Sequence, residues 1–407
     1  MSSADVLIIG AGPAGAIASA LLTAAGHSVI VLEKTQFPRF SIGESLLPHC
    51  MAFIEEAGMT QALVDAGYQH KNGAVFLRNG KHVAFDFREK VSPGWGTTYQ
   101  VVRADFDHLL AREAQRLGAD IRYQHEILEC DCADGRTKVL AQTVRGDRVH
   151  FEGRFLLDAS GFGRVLPRLL KLDRPSQFPV RRSINTHVED RISQPGYDRN
   201  KILIGVHPLH RDVWYWLIPF CRGRSSIGVV ASETFFEGLP ADPVARIQAL
   251  IAQEPALASL LGNSVYDTQV REITGYSADV TKLWGPGFAL LGNAGEFLDP
   301  VFSSGVTIAM KSASLAVGVL KRQLNGESVD WDHDFAVPLK RGVDTFRAFV
   351  ETWYDGRFQD IVFFERQQPQ VKRMIAAILA GYAWDENNPY VEQPMRRLDV
   401  LAKLCHA

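Results

Sequence analysis

The chain has 407 residues, 46% of them hydrophobic and 22% charged, with a formal net charge of −2. That composition excludes a disordered or fibrous chain, and the near-neutral balance excludes the broad basic footprint of a nucleic-acid binder. Five cysteines without a repeated metal-type spacing point to a reducing compartment, and to neither a disulfide framework nor a metal site. No signal-peptide pattern opens the chain and no apolar run reaches membrane-spanning length, so a cytoplasmic protein without a transmembrane segment is expected.

Near the start, Leu7 to Ile9 suits a strand buried on both faces of a parallel sheet. Gly10, Gly12 and Gly15 follow at dinucleotide spacing, with Ala14 among them. Gly10 permits the tight turn, Gly12 lets backbone approach a pyrophosphate, and Gly15 lets the next helix pack on the strand. The helix runs from Ala16 to Ala25 and stops at Gly26. Ser28 to Leu32 forms the second strand, and Glu33 stands about twenty residues beyond the glycines, where a ribose hydroxyl is expected. Lys34 follows it. Pro, Gly and polar residues make Phe37–Pro48 a loop. There Arg39 is placed to meet a cofactor's phosphate and Glu44 a cofactor hydroxyl, with Ser41 and Ser45 beside them.

A helix is expected over 52–66, ending at Gly67, and Lys71 then precedes Asn72-Gly73. Taken alone, a lysine in that setting reads as a solvated turn residue. Two strand-like runs over 74–85 meet at Asn79-Gly80, a hairpin signal. Val101–Asp107, which contains Arg103, leads into an amphipathic helix through Arg116. Strands are expected over 121–127, 137–143 and 148–151, with Cys130 and Cys132 as ordinary strand residues. Phe155–Gly161 returns to the nucleotide domain and carries Asp158 at its end. Residues 202–207, 213–219 and 225–231 are expected strands of a second, mostly antiparallel region, followed by a helix over 244–261. Phe288–Leu291 is another buried strand running into a glycine turn at Gly292 and Asn293, and a helix follows over 306–324. The remainder is helical. Its aromatic run (Phe346, Phe349, Trp353, Tyr354, Phe358, Phe363 and Phe364) either closes a substrate cavity or packs as core.

Two strand-to-glycine turns, at Gly10 and Gly292, anchor one extended cofactor at two points, which favours FAD over NAD. The chain here resembles the glutathione-reductase-type, hydroxybenzoate-hydroxylase-like FAD monooxygenases. The expected fold is α/β: a Rossmann-like FAD-binding domain (1–180 and 269–330), an inserted, mostly antiparallel β-sheet substrate region (74–100 and 181–268), and a helical C-terminal region (331–407). Asn293 departs from the Asp usual in that group. Trp214-Tyr215-Trp216-Leu217-Ile218-Pro219 matches the WxWxIP pattern of the flavin-dependent halogenases, and Phe297–Gly305 matches their F-x-x-P-x-x-S-x-G element. On that resemblance Trp214, Trp216 and Pro219 form a barrier between flavin and substrate. Pro300, Gly305 and Val306 approach the flavin, and a halide rests near Ser304 and Gly305.

Lys71 occupies the position of the family's catalytic lysine, implying reaction with hypohalous acid made from a flavin hydroperoxide. Phe302 stands where the tryptophan-directed members carry Glu, which moves the resemblance to the phenol- and pyrrole-directed branch. The family implies FAD used as FADH2, chloride or bromide, a separate flavin reductase and a small aromatic substrate, either free or bound to an acyl carrier protein. Alternative readings are a monooxygenase or reductase of the same fold that does not halogenate, and a flavin-binding module without enzymatic activity.

Overall fold

The structure is a computed structural model that describes residues 2–406. A six-stranded sheet forms its base, in the order Trp284–Gly285, Phe288–Leu290, Phe155–Asp158, Val6–Ile9, Val29–Glu33 and Asp120–Tyr123. All neighbours run parallel except the short outer pair at Trp284–Gly285. The strand Val6–Ile9 lies between two others, and its residues are at most 4% exposed, as an unbroken apolar run in a covered parallel sheet requires. The helix Pro13–Ala24 begins with Pro at its first turn. Its buried Ala14, Ala16, Ala18 and Ala20 are small enough to let the helix Gly305–Leu324 pack closely alongside.

A second sheet of seven strands draws together distant pieces of chain: Arg271–Thr274, Arg182–Glu189, Arg224–Ala231, Trp214–Pro219, Lys201–Val206, Gly73–Arg78 and Lys81–Asp86. It is antiparallel apart from the parallel pairing of Gly73–Arg78 with Lys201–Val206. The last two strands turn at Asn79 and Gly80, both at positive φ, as an Asn-Gly hairpin needs. A four-stranded sheet carries Ser2–Ser3, Arg148–Gly153, Arg136–Thr143 and His125–Ala133. Cys130 and Cys132 sit in its outer strand as free thiols.

Two expected long helices are each split. Residues 52–66 divide into Cys50–Glu56 and Thr60–Asp65 around Gly58, whose φ of +70° leaves the helical region. Residues 244–261 divide into Pro243–Ile251 and Pro255–Leu261, because Glu254 caps the second helix through the Leu257 N–H and Pro255 occupies its first turn. The C-terminal helices include Val337–Tyr354, Arg357–Phe363, Pro369–Leu379 and Pro394–Cys405. Phe349, Trp353 and Phe358 are fully buried and surround Phe302 edge-on, with ring centroids 5.4–6.2 Å apart. Such pairs add about 0.5–1.5 kcal/mol each beyond area burial. Phe346, Phe349, Trp353, Phe358 and Phe363 of the aromatic run are therefore core, and Phe302 packs with them. No helix among the described residues is long and apolar enough to cross a membrane.

Candidate active site

A cavity of about 720 Å³ runs between the two large sheets. Its nucleotide end is the glycine turn. Gly10 has φ +91°, and a Cβ there would lie 2.7 Å from the Ala159 carbonyl oxygen. At Gly15 a Cβ would fall 1.9 Å from the carbonyl oxygen of Gly10, so strand and helix meet only with hydrogen at that position. A Cβ on Gly12 would find only Arg39 Nη2, at 3.5 Å, which leaves bare backbone facing a cation. That is the composition of a pyrophosphate cradle. Glu33 closes the end: its Oε2 accepts the Ala11 N–H at 2.9 Å, and its Oε1 accepts the N–H and O–H of Thr35 at 2.9 and 2.7 Å. Beside it, exposed Lys34 pairs with Glu126.

The loop after the second strand is held by charge. Asp107, nearly fully buried, takes two hydrogen bonds from Arg103 and one from Arg39 Nη1 at 2.9 Å. Arg103 Nη1 also donates to the Ile42 carbonyl at 2.5 Å, fixing the loop on which Ser41, Glu44 and Ser45 face the cavity. Glu44 is already engaged, with Oε1 2.5 Å from His187 Nε2. His187 belongs to no motif, and its place behind the wall had no signal in the sequence.

At the far end, Trp214 and Trp216 line the cavity with Ile202, Ile204 and Ile218, their ring centroids 5.8 Å apart. The Trp216 ring lies flat on Gly228 of the neighbouring strand, where a Cβ would come within 2.2 Å of it, and its N–H donates to Ser226 Oγ at 3.1 Å. Opposite, Ser303 adopts φ +56° and turns the chain into the helix Gly305–Leu324, which starts at the cavity without a side-chain cap. Uncapped first-turn amides carry the partial positive charge of a helix start. Asn293, Pro300, Gly305 and Val306 line this end.

Lys71 lies off the wall. It ends the short strand Gln69–Lys71, which pairs with Thr98–Gln100, and it is fully buried, not a solvated turn residue. Its Nζ donates to Ser45 Oγ at 2.6 Å and to the Leu46 carbonyl at 2.7 Å, so a residue of the cavity wall is its direct partner. Burial pushes the amine down to about 7.

Of the other expected contacts, Gly10, Gly12 and Ala14 line the cavity, whereas Gly15 lies beneath it as a packing position. Gly292 packs on Ala309, and Ser304 and Pro219 are adjacent to wall residues without lining the cavity themselves. Asp158 is fully buried and does not line the cavity. Its two oxygens accept the N–H groups of Ser160 at 2.8 Å and Leu166 at 2.7 Å, so it caps the turn behind the wall.

A parallel sheet with a glycine cradle at its carboxyl edge, and a second glycine turn closing the same cavity, define a flavoprotein that takes FAD in extended form. The FAD binding domain family matches residues 3–335, and the chain belongs to that family, in the branch that holds the flavin-dependent halogenases. A tryptophan 2-halogenase of Chondromyces crocatus is 32% identical over 335 residues, covering 80% of this chain and 62% of that one, so the chain spans less than two thirds of that relative. The 1H-pyrrole-2-carbonyl-[peptidyl-carrier protein] brominase of Pseudoalteromonas luteoviolacea is 28% identical over 392 residues, covering 94% and 93%. Among solved structures, a flavoprotein/dehydrogenase from Cytophaga hutchinsonii superposes with TM-score 0.96 at 42% identity, over 100% of this chain and 99% of that one.

Proposed function

We propose that the chain halogenates an electron-rich phenolic or pyrrolic ring by electrophilic substitution, with chloride or bromide as halide. The observation that carries this reading is the buried Lys71 amine, hydrogen-bonded to Ser45 of the cavity wall. Bound FAD, reduced and met by oxygen, supplies the oxidising equivalent that turns halide into hypohalous acid. The residues of the chain divide the remaining work. Gly12, Arg39 and Glu33 hold the nucleotide, and the uncapped start of the helix at Gly305, next to Ser304, receives the halide. Trp214 and Trp216 keep an organic ring away from the flavin end, so that oxygen is not delivered to it directly.

Near neutral pH a large share of the Lys71 amine is uncharged, so it either takes up the halogen as a haloamine or directs the acid by hydrogen bond. The aromatic ring then gains halogen and loses a proton. Wall residue Ser45 stands between cavity and amine. The substrate is a small aromatic one, and the 93% coverage of the pyrrole-carbonyl carrier-protein brominase supports a carrier-tethered form. Reduced flavin comes from a separate reductase, and the setting is cytoplasmic.

The test supplies FAD, a flavin reductase, oxygen and bromide with phloroglucinol as phenol probe, followed by mass spectrometry. Brominated product from the wild type, and none from Lys71→Ala with flavin oxidation intact, is the expected result. Hydroxylated product indifferent to bromide would contradict it.

A further inference from the structure

Behind the indole wall, one buried polar cluster ties distant stretches of chain together. Asp299, 3% exposed, caps the turn Pro300–Phe302, with Oδ1 accepting the Val301 N–H at 3.0 Å. Its Oδ2 accepts the hydroxyls of Tyr354 at 2.8 Å and Tyr276 at 3.2 Å. The Tyr354 hydroxyl accepts the indole N–H of Trp214 at 3.0 Å. An indole only donates, a carboxylate only accepts, and a phenol does both, so the direction of this chain of hydrogen bonds is forced. It runs from the wall at 214, through the last turn of the helix Val337–Tyr354, to the segment that leads into the turn at 303–305.

The charged groups around it are few. The Arg181 guanidinium lies 4.3 Å over the Tyr354 ring and pairs with Asp212 at 2.8 Å, and its Nε is buried without a partner. Burial pushes the Asp299 carboxyl up to about 6, and both tyrosines are pushed well above their ordinary range by burial and by Asp299. Elsewhere in the wall, Trp216 is held by its own strand neighbour Ser226, whereas Trp214 depends on the C-terminal helix.

We propose that Tyr354 is a positioning residue, which through its single hydroxyl holds the Trp214 indole in register with the Asp299 segment that leads to the halide turn. The functional consequence rests on the halogenase reading, but the geometry does not. Loss of the hydroxyl frees the indole on its outer edge, and the wall leaks.

The test uses the full chain loaded with oxidised FAD and labelled with 15N-tryptophan, the Trp214 indole resonance being assigned by Trp214→Phe. In the wild type this resonance shifts with pH as Asp299 titrates. In Tyr354→Phe it moves and loses that pH dependence, while in Asp299→Asn it keeps a hydrogen-bonded shift but stops titrating. In turnover with bromide and phloroglucinol, Tyr354→Phe diverts more reduced flavin to hydrogen peroxide, raising the peroxide-to-product ratio about fivefold, the factor carried by one hydrogen bond. A Trp214 resonance that is unchanged in Tyr354→Phe overturns the proposal, as does an altered resonance with an unchanged peroxide ratio. A wild type that makes no halogenated product at all, yet shows the resonance shifts, sinks the halogenase reading and leaves the brace standing.

Discussion

At one end of the cavity, the proposed nucleotide cradle comes from a short run: the strand at Val6, the glycines and Glu33, backed by Arg39 a few residues on. At the other end, wall residues Ser45 and Trp214 are backed by Lys71, Asp299 and Tyr354, and their neighbour Glu44 by His187; these lie far apart in the chain and meet only because two sheets and the C-terminal helices pack together. The first end is fixed by backbone geometry and tolerates no Cβ at Gly10 or Gly15. The second is fixed by side-chain partners, and each partner is removable. The cradle is therefore predicted to fail by losing the cofactor, whereas the wall fails by misdirecting chemistry with the cofactor in place.

The largest expected effects break that comparison most clearly. Gly15→Val, with its Cβ 1.9 Å from the Gly10 carbonyl oxygen, is expected to abolish FAD retention, read as loss of flavin absorbance after purification. Lys71→Ala is expected to keep flavin and lose halogenated product by about a hundredfold or more, as for a positioned catalytic side chain. If Lys71→Ala also loses FAD, the two ends are not separable.

Asp107→Asn comes next. It removes the carboxylate that Arg39 and Arg103 share, and breaking a buried ion pair costs about 3–5 kcal/mol. A lower melting temperature together with weaker FAD binding is expected, since Arg39 is the cation facing Gly12. Gly228→Ala is milder. It pushes a methyl group into the Trp216 ring, and overpacking of this kind costs about 1–3 kcal/mol. Flavin binding should persist and peroxide release should rise.

The last effect is a pH dependence of stability. The Lys71 amine is lowered from 10.5 to about 7, so between those values the unfolded chain holds the proton and the folded one does not. Its contribution to stability is full above about 10.5, is lost as pH falls through about 7, and changes no further below that. Asp299 works in the opposite sense: raised from 3.8 to about 6, it loses stability as pH rises across that interval. Thermal melts of wild type against Lys71→Met should diverge between pH 7 and 10, and against Asp299→Asn between pH 4 and 6.

What was legible in the sequence follows the same division. The cradle could be read because its constraints are local: strand, turn, helix and acidic residue fall at fixed spacing. The hairpin at Asn79-Gly80 was legible for the same reason. Helix breaks at Gly58 and Glu254 were missed because apolar periodicity continues through them while a positive φ and a cap decide otherwise. Asp158 sits at a strand end, and only the fold shows the Leu166 N–H that it accepts. The Ser45 bond to Lys71, the His187 bond to Glu44 and the Tyr354 bond to Asp299 join residues with no sequence relation, so no spacing announces them. Phe302 was noticed for lacking a carboxylate, and its real company, Phe349, Trp353 and Phe358, comes from the C-terminal helices.

The spatial separation of flavin and acceptor is tested most directly by anomalous diffraction from bromide in crystals of the FAD-loaded protein. One ordered bromide is expected at the backbone amides of Ser304 and Gly305, on the flavin side of Trp214 and Trp216. A flavin ring facing an open organic pocket, with no bromide at that turn, would contradict it.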